Sequence, residues 1–117
     1  MDSSEFRVRK LEPSEAIEAF TALAQETRLA VFRLLIRQGM DGLKAGEIAK
    51  RLEVRPSTLS GHLHLLTRAG LLKSRRHQRH IIYSVDIDGT HQLLQFLTAD
   101  CCNGHPEICK DLGRAVY

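Results

Sequence analysis

Residues 55–66, Arg55-Pro56-Ser57-Thr58-Leu59-Ser60-Gly61-His62-Leu63-His64-Leu65-Leu66, decide the fold of this 117-residue chain. Proline favours the first turn of a helix and glycine its end, so Pro56 and Gly70 predict the two limits of a helix. Leu59, Leu63 and Leu66 have the i, i+4, i+7 spacing of an apolar stripe that faces a core. The opposite face of this helix carries small polar residues, which allow a partner to approach closely.

Two strands are predicted directly after this helix. Residues 71–76 and 80–85 are bounded by Gly70 and by a basic tip, residues 76–79, of sequence Arg-His-Gln-Arg. A short connection between two such segments is typical of a β-hairpin. Together with a preceding helix at residues 45–52, which a short turn joins to it, this helix and the basic hairpin have the arrangement of a winged helix-turn-helix.

Three further helices are predicted before residue 55 and one after the hairpin. Pro13 begins the first, a second runs from about Glu26 to Gly39, and a third covers residues 45–52. The last runs from near Gly89 to about Cys101, where Asn-Gly and Pro follow in the sequence. The fold class is therefore mainly α with a small β-hairpin, in the order α-α-α-α-β-β-α. We expect residues 1–117 to form a single winged-helix DNA-binding domain with a cysteine-containing tail at about 98–117.

Charge is distributed unevenly along the chain. The net charge is +3, yet residues 54–85 contain six Lys and Arg residues and no Asp or Glu, which leaves −3 for the remainder. Such a segment favours an anionic partner, and double-stranded DNA is the first candidate. The alternative is that these basic residues form a solvated face without a specific partner.

Specific side chains of this segment are candidate DNA contacts. Small residues opposite the leucine stripe can reach base edges, and basic residues or a helix start can hold phosphates. His62 lies beside the apolar stripe, so a structural role is favoured over a DNA contact. The predicted DNA-binding residues are Ser57, Thr58, Ser60, Gly61, His64, Arg68, Arg75, Arg76 and Arg79, with His77 also at the hairpin tip.

The composition limits the classes of protein to which the chain can belong. Hydrophobic residues make up 43% of the chain and charged residues 26%, as in soluble globular domains, and there is no Trp. The first ten residues are polar and no apolar run approaches the length of a membrane span. Three cysteines, an odd number, do not form a disulfide framework. We therefore expect a cytoplasmic protein with no membrane partner.

The chain resembles the ArsR/SmtB family of metal-sensing repressors. The resemblance rests on residues 22–29, Ala-Leu-Ala-Gln-Glu-Thr-Arg-Leu, on residues 55–66, on Ala69-Gly70-Leu71-Leu72 and on Tyr83. It covers roughly residues 15–100. It implies a homodimer built largely from the first and last helices, which binds operator DNA without any cofactor and releases it when an inducer binds.

All three cysteines lie within nine residues, at Cys101, Cys102 and Cys109. Trivalent arsenic and antimony favour three thiolates, whereas Zn(II) prefers four ligands and His105 is the obvious fourth here. A methylated As(III) needs only two sulfurs, which Cys101 and Cys102 could supply. The helix that in the family often carries an arsenic site, residues 45–51, contains no cysteine. Asp88 and His91 begin a pattern similar to the family's zinc site, but Cys102 stands where a second His would fall.

These observations predict an operator-binding repressor that is released when As(III), or alternatively methylarsenite or Sb(III), binds the cysteine thiolates. A redox-sensing repressor of the same fold is the alternative, because two of the thiols could oxidise. An adaptor with a structural zinc site is a weaker third hypothesis. The chain has no phosphate-binding loop around a cysteine and no Cys-x-x-Cys motif, so we do not expect an enzyme.

Overall fold

The computed structural model describes residues 10–98, in which five helices pack around a small sheet. The elements are α1 (Pro13–Leu23), α2 (Glu26–Gln38), β1 (Leu43–Lys44), α3 (Ala45–Leu52), α4 (Pro56–Arg68), β2 (Leu72–His77), β3 (His80–Val85) and α5 (Ile87–Thr98), with one 3₁₀ turn at Gly39–Asp41. This is the predicted winged helix-turn-helix, with α3 and α4 as the two helices of the motif and β2 and β3 as the wing.

The sheet has three strands rather than the predicted two, in the order β1-β3-β2, and both pairings are antiparallel. β1 consists of Leu43 and Lys44 only, which pair with Tyr83 and Ile82 of β3. Two residues are too short to show the alternation by which a strand is recognised in a sequence. The extra strand fixes the wing to the start of α3.

The core is aliphatic and lies between the helices and the base of the wing. The predicted stripe of α4 is confirmed, because Leu59, Leu63 and Leu66 are at most 2% exposed. The other large side chains that are fully buried are Leu35, Ile48, Leu71, Leu72 and Val31. Burying a leucine side chain stabilises a fold by about 1.5–3 kcal/mol, so these leucines hold α4 firmly against the body.

α1 packs on the core through its small residues. Ala16, Ala19 and Ala22 are buried, whereas Ile17 is 64% and Phe20 37% exposed. The sequence pattern suggested only that apolar residues recur at helical spacing. The structure shows two apolar faces on one helix, a narrow one that packs inward and a wider one that faces outward.

α5 begins at Ile87, two residues earlier than predicted. The Asp86 carboxylate accepts a hydrogen bond from the Gly89 amide at 3.0 Å, and Asp86 therefore caps the helix. The predicted end near Cys101 lies outside the described residues. In residues 10–98, no helix is both long enough and apolar enough to cross a membrane.

Candidate nucleic-acid interface

The N-terminus of α4 is open to an anionic ligand. Pro56 occupies its first turn, the N-cap residue Arg55 makes no side-chain capping bond, and the first turn contains no acidic residue. In α2, by contrast, the Gln25 side chain accepts from the Arg28 amide at 2.8 Å. Unpaired amides and the helix dipole together favour a phosphate at such a terminus.

The predicted reading face of α4 is exposed. The buried leucines place Ser57, Ser60, Gly61 and His64 on the solvent side of the helix, and Thr58 is exposed beside them. A Cβ atom added at Gly61 would meet nothing within 4 Å. The missing side chain therefore serves no packing purpose within the described fold, and it leaves a shallow surface along the helix.

A small cleft joins the starts of α3 and α4 to the sheet. It has a volume of about 100 Å³ and is lined in part by Gly46, Pro56, Ser60 and Tyr83. The N-cap of α3, Lys44, makes no side-chain capping bond either. The starts of α3 and α4 and the strand β3 thus meet at one surface. No residue of α3 was among the predicted DNA contacts. Lys44, a basic residue directly before a predicted helix, is the feature of the sequence that could have indicated this surface.

The wing presents the predicted basic residues. Arg75, Arg76 and Arg79 are exposed. Arg75 also donates a hydrogen bond from its guanidinium to the Asp41 carbonyl at 3.3 Å, which braces the wing against the turn after α2. The turn itself is Gln78-Arg79, and Gln78 adopts a positive φ of 59°. A two-residue connection of this kind makes a tight hairpin tip.

Comparison with known proteins gives the same architecture. A family model described as a helix-turn-helix domain matches residues 23–75. The cadmium resistance transcriptional regulatory protein CadC homolog of Staphylococcus aureus is 30% identical to the chain, over 74% of this chain and 69% of that protein. The structure of HlyU from Vibrio cholerae is 30% identical, covers 76% of this chain and 99% of its own, and superimposes with a TM-score of 0.58.

A third similar protein is Mb0332 from Mycobacterium bovis, a possible ArsR-family regulator solved as a homodimeric winged helix-turn-helix DNA-binding domain. It is 26% identical, covers 79% of this chain and 84% of its own, and has a TM-score of 0.60. The chain belongs to the ArsR/SmtB-like winged-helix family of transcriptional regulators. In this ArsR/SmtB-like regulator, α4 is the second helix of the helix-turn-helix motif, the position that is called the recognition helix in such motifs.

Arg68, the remaining predicted phosphate contact, lies at the far end of the recognition helix. At about 1.5 Å per residue, its Cα is roughly 18 Å along the axis from that of Pro56. It lines a cavity of about 150 Å³ together with Glu15 and Glu18 of α1 and Gln92 of α5. In this regulator, Arg68 lies close to α1 and α5, and its role as a phosphate contact stays a prediction.

His62 has a structural partner. It is partly buried, and its Nδ1 lies 3.1 Å from a guanidinium nitrogen of Arg28 in α2. Burial, and secondly the charge of Arg28, lower the pKa of His62 below its ordinary value of 6.5. This geometry agrees with the structural role favoured from the sequence. Arg28 itself was noted there only as part of the family resemblance.

The predicted metalloid ligands Cys101, Cys102 and Cys109 lie outside the described residues. Within residues 10–98, no three His, Cys, Asp or Glu residues come together as a metal site. Asp88 and His91 lie in α5, within that range.

Proposed function

We propose that the chain is a homodimeric repressor that binds double-stranded operator DNA through α4 and the wing. The observation that carries this proposal is the uncapped, acid-free start of α4, which continues into an exposed face of small polar residues and is followed in the fold by a wing with exposed arginines. Phosphates at the helix start and the wing would set the position of the protein, and base edges would meet Ser57, Ser60, Gly61 and His64.

The outward apolar residues support a dimer. Ile17 and Phe20 of α1 are exposed, as is Leu97 of α5, at 58%. The two helices contact each other within the chain, so their exposed apolar residues can belong to one surface. The homodimeric state of Mb0332, which has the same fold, also supports a dimer. A twofold pair would present two recognition helices to successive major grooves, about 34 Å apart.

We further propose that trivalent arsenic bound by Cys101, Cys102 and Cys109 releases the operator. Cys101 follows Thr98, the last described residue of α5, by three positions in the sequence. A ligand held there acts next to a helix that bears part of the proposed dimer surface. The CadC homolog, a regulator of cadmium resistance, supports a thiophilic inducer for this family. Release needs a preference of only about 1–3 kcal/mol for the state that does not bind DNA.

Oxidation of the same thiols is the second candidate trigger. HlyU, which is 30% identical to this chain, has been solved in a form named as reduced. Two of the three cysteines could form a disulfide and change the same end of α5. Stoichiometry separates the two triggers, because metalloid binding adds one ion per site and oxidation adds none.

DNA binding is tested first, with Gly61→Ala as the variant. A duplex is selected by the wild-type protein from a random library, and its affinity is compared with that of a scrambled duplex of equal length. Because the added Cβ meets nothing within the fold, we expect Gly61→Ala to stabilise the protein by about 0.5–1 kcal/mol. It should nevertheless weaken binding of the selected duplex. Unchanged affinity would exclude Gly61 from the interface.

The trigger is tested on the same complex. As(III), Sb(III), methylarsenite, Zn(II) and peroxide are added in turn, and bound metalloid is counted by mass spectrometry. We expect As(III) to release DNA from the wild type and not from Cys101→Ser/Cys102→Ser. The matched variant Cys109→Ser should lose the response to As(III) and keep that to methylarsenite. Release by As(III) that survives the double substitution contradicts the proposed site, and release by peroxide alone favours the redox trigger.

A further inference from the structure

We propose that Arg28 is a positioning residue that fixes the recognition helix by tying His62 of α4 to the end of α1. The inference rests on the proposed DNA-binding function of α4 and deepens it. Arg28 is placed in α2, behind the DNA-facing side chains of α4, so its contribution would be indirect.

Arg28 makes three hydrogen bonds, one from its backbone amide and two from its side chain. Its backbone amide donates to the Gln25 side chain at 2.8 Å, which fixes the start of α2. Its Nε donates to the Ala22 carbonyl at 2.6 Å, near the end of α1. A terminal guanidinium nitrogen lies 3.1 Å from Nδ1 of His62 in α4. One side chain thus links α1, α2 and α4.

The chemistry of these contacts suits an arginine. Ala22 belongs to the last turn of α1, where carbonyls lack partners within the helix and a positive charge is favoured. A guanidinium is planar and presents several donors in fixed directions. It can therefore serve the Ala22 carbonyl and the His62 ring at the same time, and each contact restricts the direction of the other. A lysine has one flexible ammonium and cannot reproduce this geometry.

His62 is well placed to transmit this restraint to the reading face. It lies next to Leu63 of the buried stripe and next to Gly61 of the exposed face, with successive residues about 100° apart around the axis. Leucine packing holds α4 against the core but is non-directional. A hydrogen bond at the edge of the stripe adds a direction, and it resists rotation of α4 about its own axis.

The contact also specifies the state of the imidazole. An arginine can only donate, so Nδ1 of His62 must accept and the neutral ring must carry its proton on Nε2. The lowered pKa of His62 is in keeping with a ring held neutral beside Arg28. The tautomer provides a readout of the link that needs no DNA.

The position of the link connects the two proposed surfaces. At one end is α1, whose outward residues Ile17 and Phe20 belong to the proposed dimer surface. At the other end is α4, which carries the proposed reading face. A change in the packing of α1 would therefore reach α4 through this guanidinium as well as through the direct contacts between the two helices.

The test compares Arg28→Met and Arg28→Lys with the matched variant Arg33→Met, which replaces an exposed arginine of the same helix. Affinities are measured for the duplex selected by the wild type and for its scrambled counterpart, over a range of salt concentrations. Thermal unfolding confirms that each variant is folded at the assay temperature. We expect Arg28→Met to weaken the selected duplex at least about ten-fold, as for loss of a hydrogen bond from a charged group.

Three further results are expected if Arg28 acts through His62. Binding of the scrambled duplex and the slope of affinity against salt stay at wild-type values, because no phosphate contact is lost. His62→Asn, which keeps an acceptor near the place of Nδ1, retains more affinity than His62→Leu. The double variant Arg28→Met/His62→Leu binds no more weakly than Arg28→Met alone.

Several outcomes overturn the inference. The inference is wrong if Arg28→Met binds the selected duplex with the affinity of the wild type. It is also wrong if the effects of Arg28→Met and His62→Leu on that affinity are additive. A salt slope that falls by about one charge would mean that Arg28 itself contacts a phosphate. Nitrogen NMR decides the case even where a variant does not fold, since an Nδ1-protonated His62 in the wild type contradicts the link. If the wild type selects no duplex at all, the proposed function fails and the inference fails with it. The other failures leave the proposed function intact.

Discussion

His62 gives a prediction at the scale of a single residue. Burial and then Arg28 disfavour its imidazolium, so its pKa in the folded protein lies below the ordinary 6.5. The unfolded chain therefore binds this proton more tightly. The resulting contribution to stability is fully present above about pH 6.5 and is lost as the pH falls through the lowered pKa of the folded state.

The measurement is an NMR titration of the His62 ring in the wild type and in Arg28→Met. We expect the substitution to raise the pKa of His62 only part of the way towards 6.5, because burial, the larger cause, remains. Arg33→Met should leave the titration of His62 as it is in the wild type. A pKa of His62 that does not move in Arg28→Met would mean that the two side chains are not in contact in solution.

Individual residues also show what a sequence can and cannot predict about a site. The exposed face of α4 followed from the leucine spacing, since a helix with a buried stripe at 59, 63 and 66 must expose the residues opposite. The partner of His62 could not be predicted from the sequence, because Arg28 is 34 positions away and only the packing of α2 on α4 brings the two side chains together. Arg68 shares a helix face with the reading residues, but nearly the whole length of α4 separates it from Pro56.

At the scale of secondary structure, α5 comes very close to the turn after α4. A Cβ atom at Gly89 would overlap the Gly70 carbonyl oxygen. Asp86 reinforces this junction, because its amide donates to the Leu71 carbonyl at 2.9 Å. The first turn of α5 is thus packed backbone to backbone on the end of the recognition helix.

Gly89→Ala should therefore destabilise the protein by about 1–3 kcal/mol, as expected for overpacking at a rigid contact. Chemical denaturation measures the change. Gly61→Ala is the matched control, since it places the same methyl group in a helix where nothing lies within 4 Å and should stabilise slightly. Equal effects of the two substitutions would show that the contact between Gly89 and Gly70 is not close in solution.

Most helices and strands could be located from the periodicity of apolar residues and from the positions of Pro and Gly. Where the predicted bounds differ from those of the structure, the reasons are local. α3 and β3 have the predicted bounds because turn residues or a change of period mark both ends. β1 was missed because pairing with β3, and not a pattern in its own two residues, makes it a strand. The start of α5 was placed late because the cap, Asp86, lies immediately after a strand and was assigned to the connection.

At the scale of the whole molecule, the outward apolar residues of α1 and α5 form the proposed dimer surface. The sequence indicated apolar residues on the first and last helices but not which of them face inward. In the structure, alanines take the inward positions of α1, and the larger Ile17 and Phe20 are left outside. Exposed side chains of this size on two neighbouring helices are typical of a surface that is covered by a partner.

Ile17→Glu should therefore convert the proposed dimer into a monomer. A carboxylate at the centre of an apolar interface would be desolvated without a partner, which costs several kcal/mol in each half of a twofold contact. Within the monomer, the same side chain stays in water, because Ile17 is 64% exposed, so the fold should keep its thermal stability. Sedimentation equilibrium measures the assembly, and Ile81→Glu, an exposed isoleucine of the wing, is the matched control that should remain a dimer. Because two half-sites bound together gain from their high effective concentration, the monomer should also bind the selected duplex far more weakly than the dimer does. A dimer of undiminished stability in Ile17→Glu would move the interface away from this face of α1.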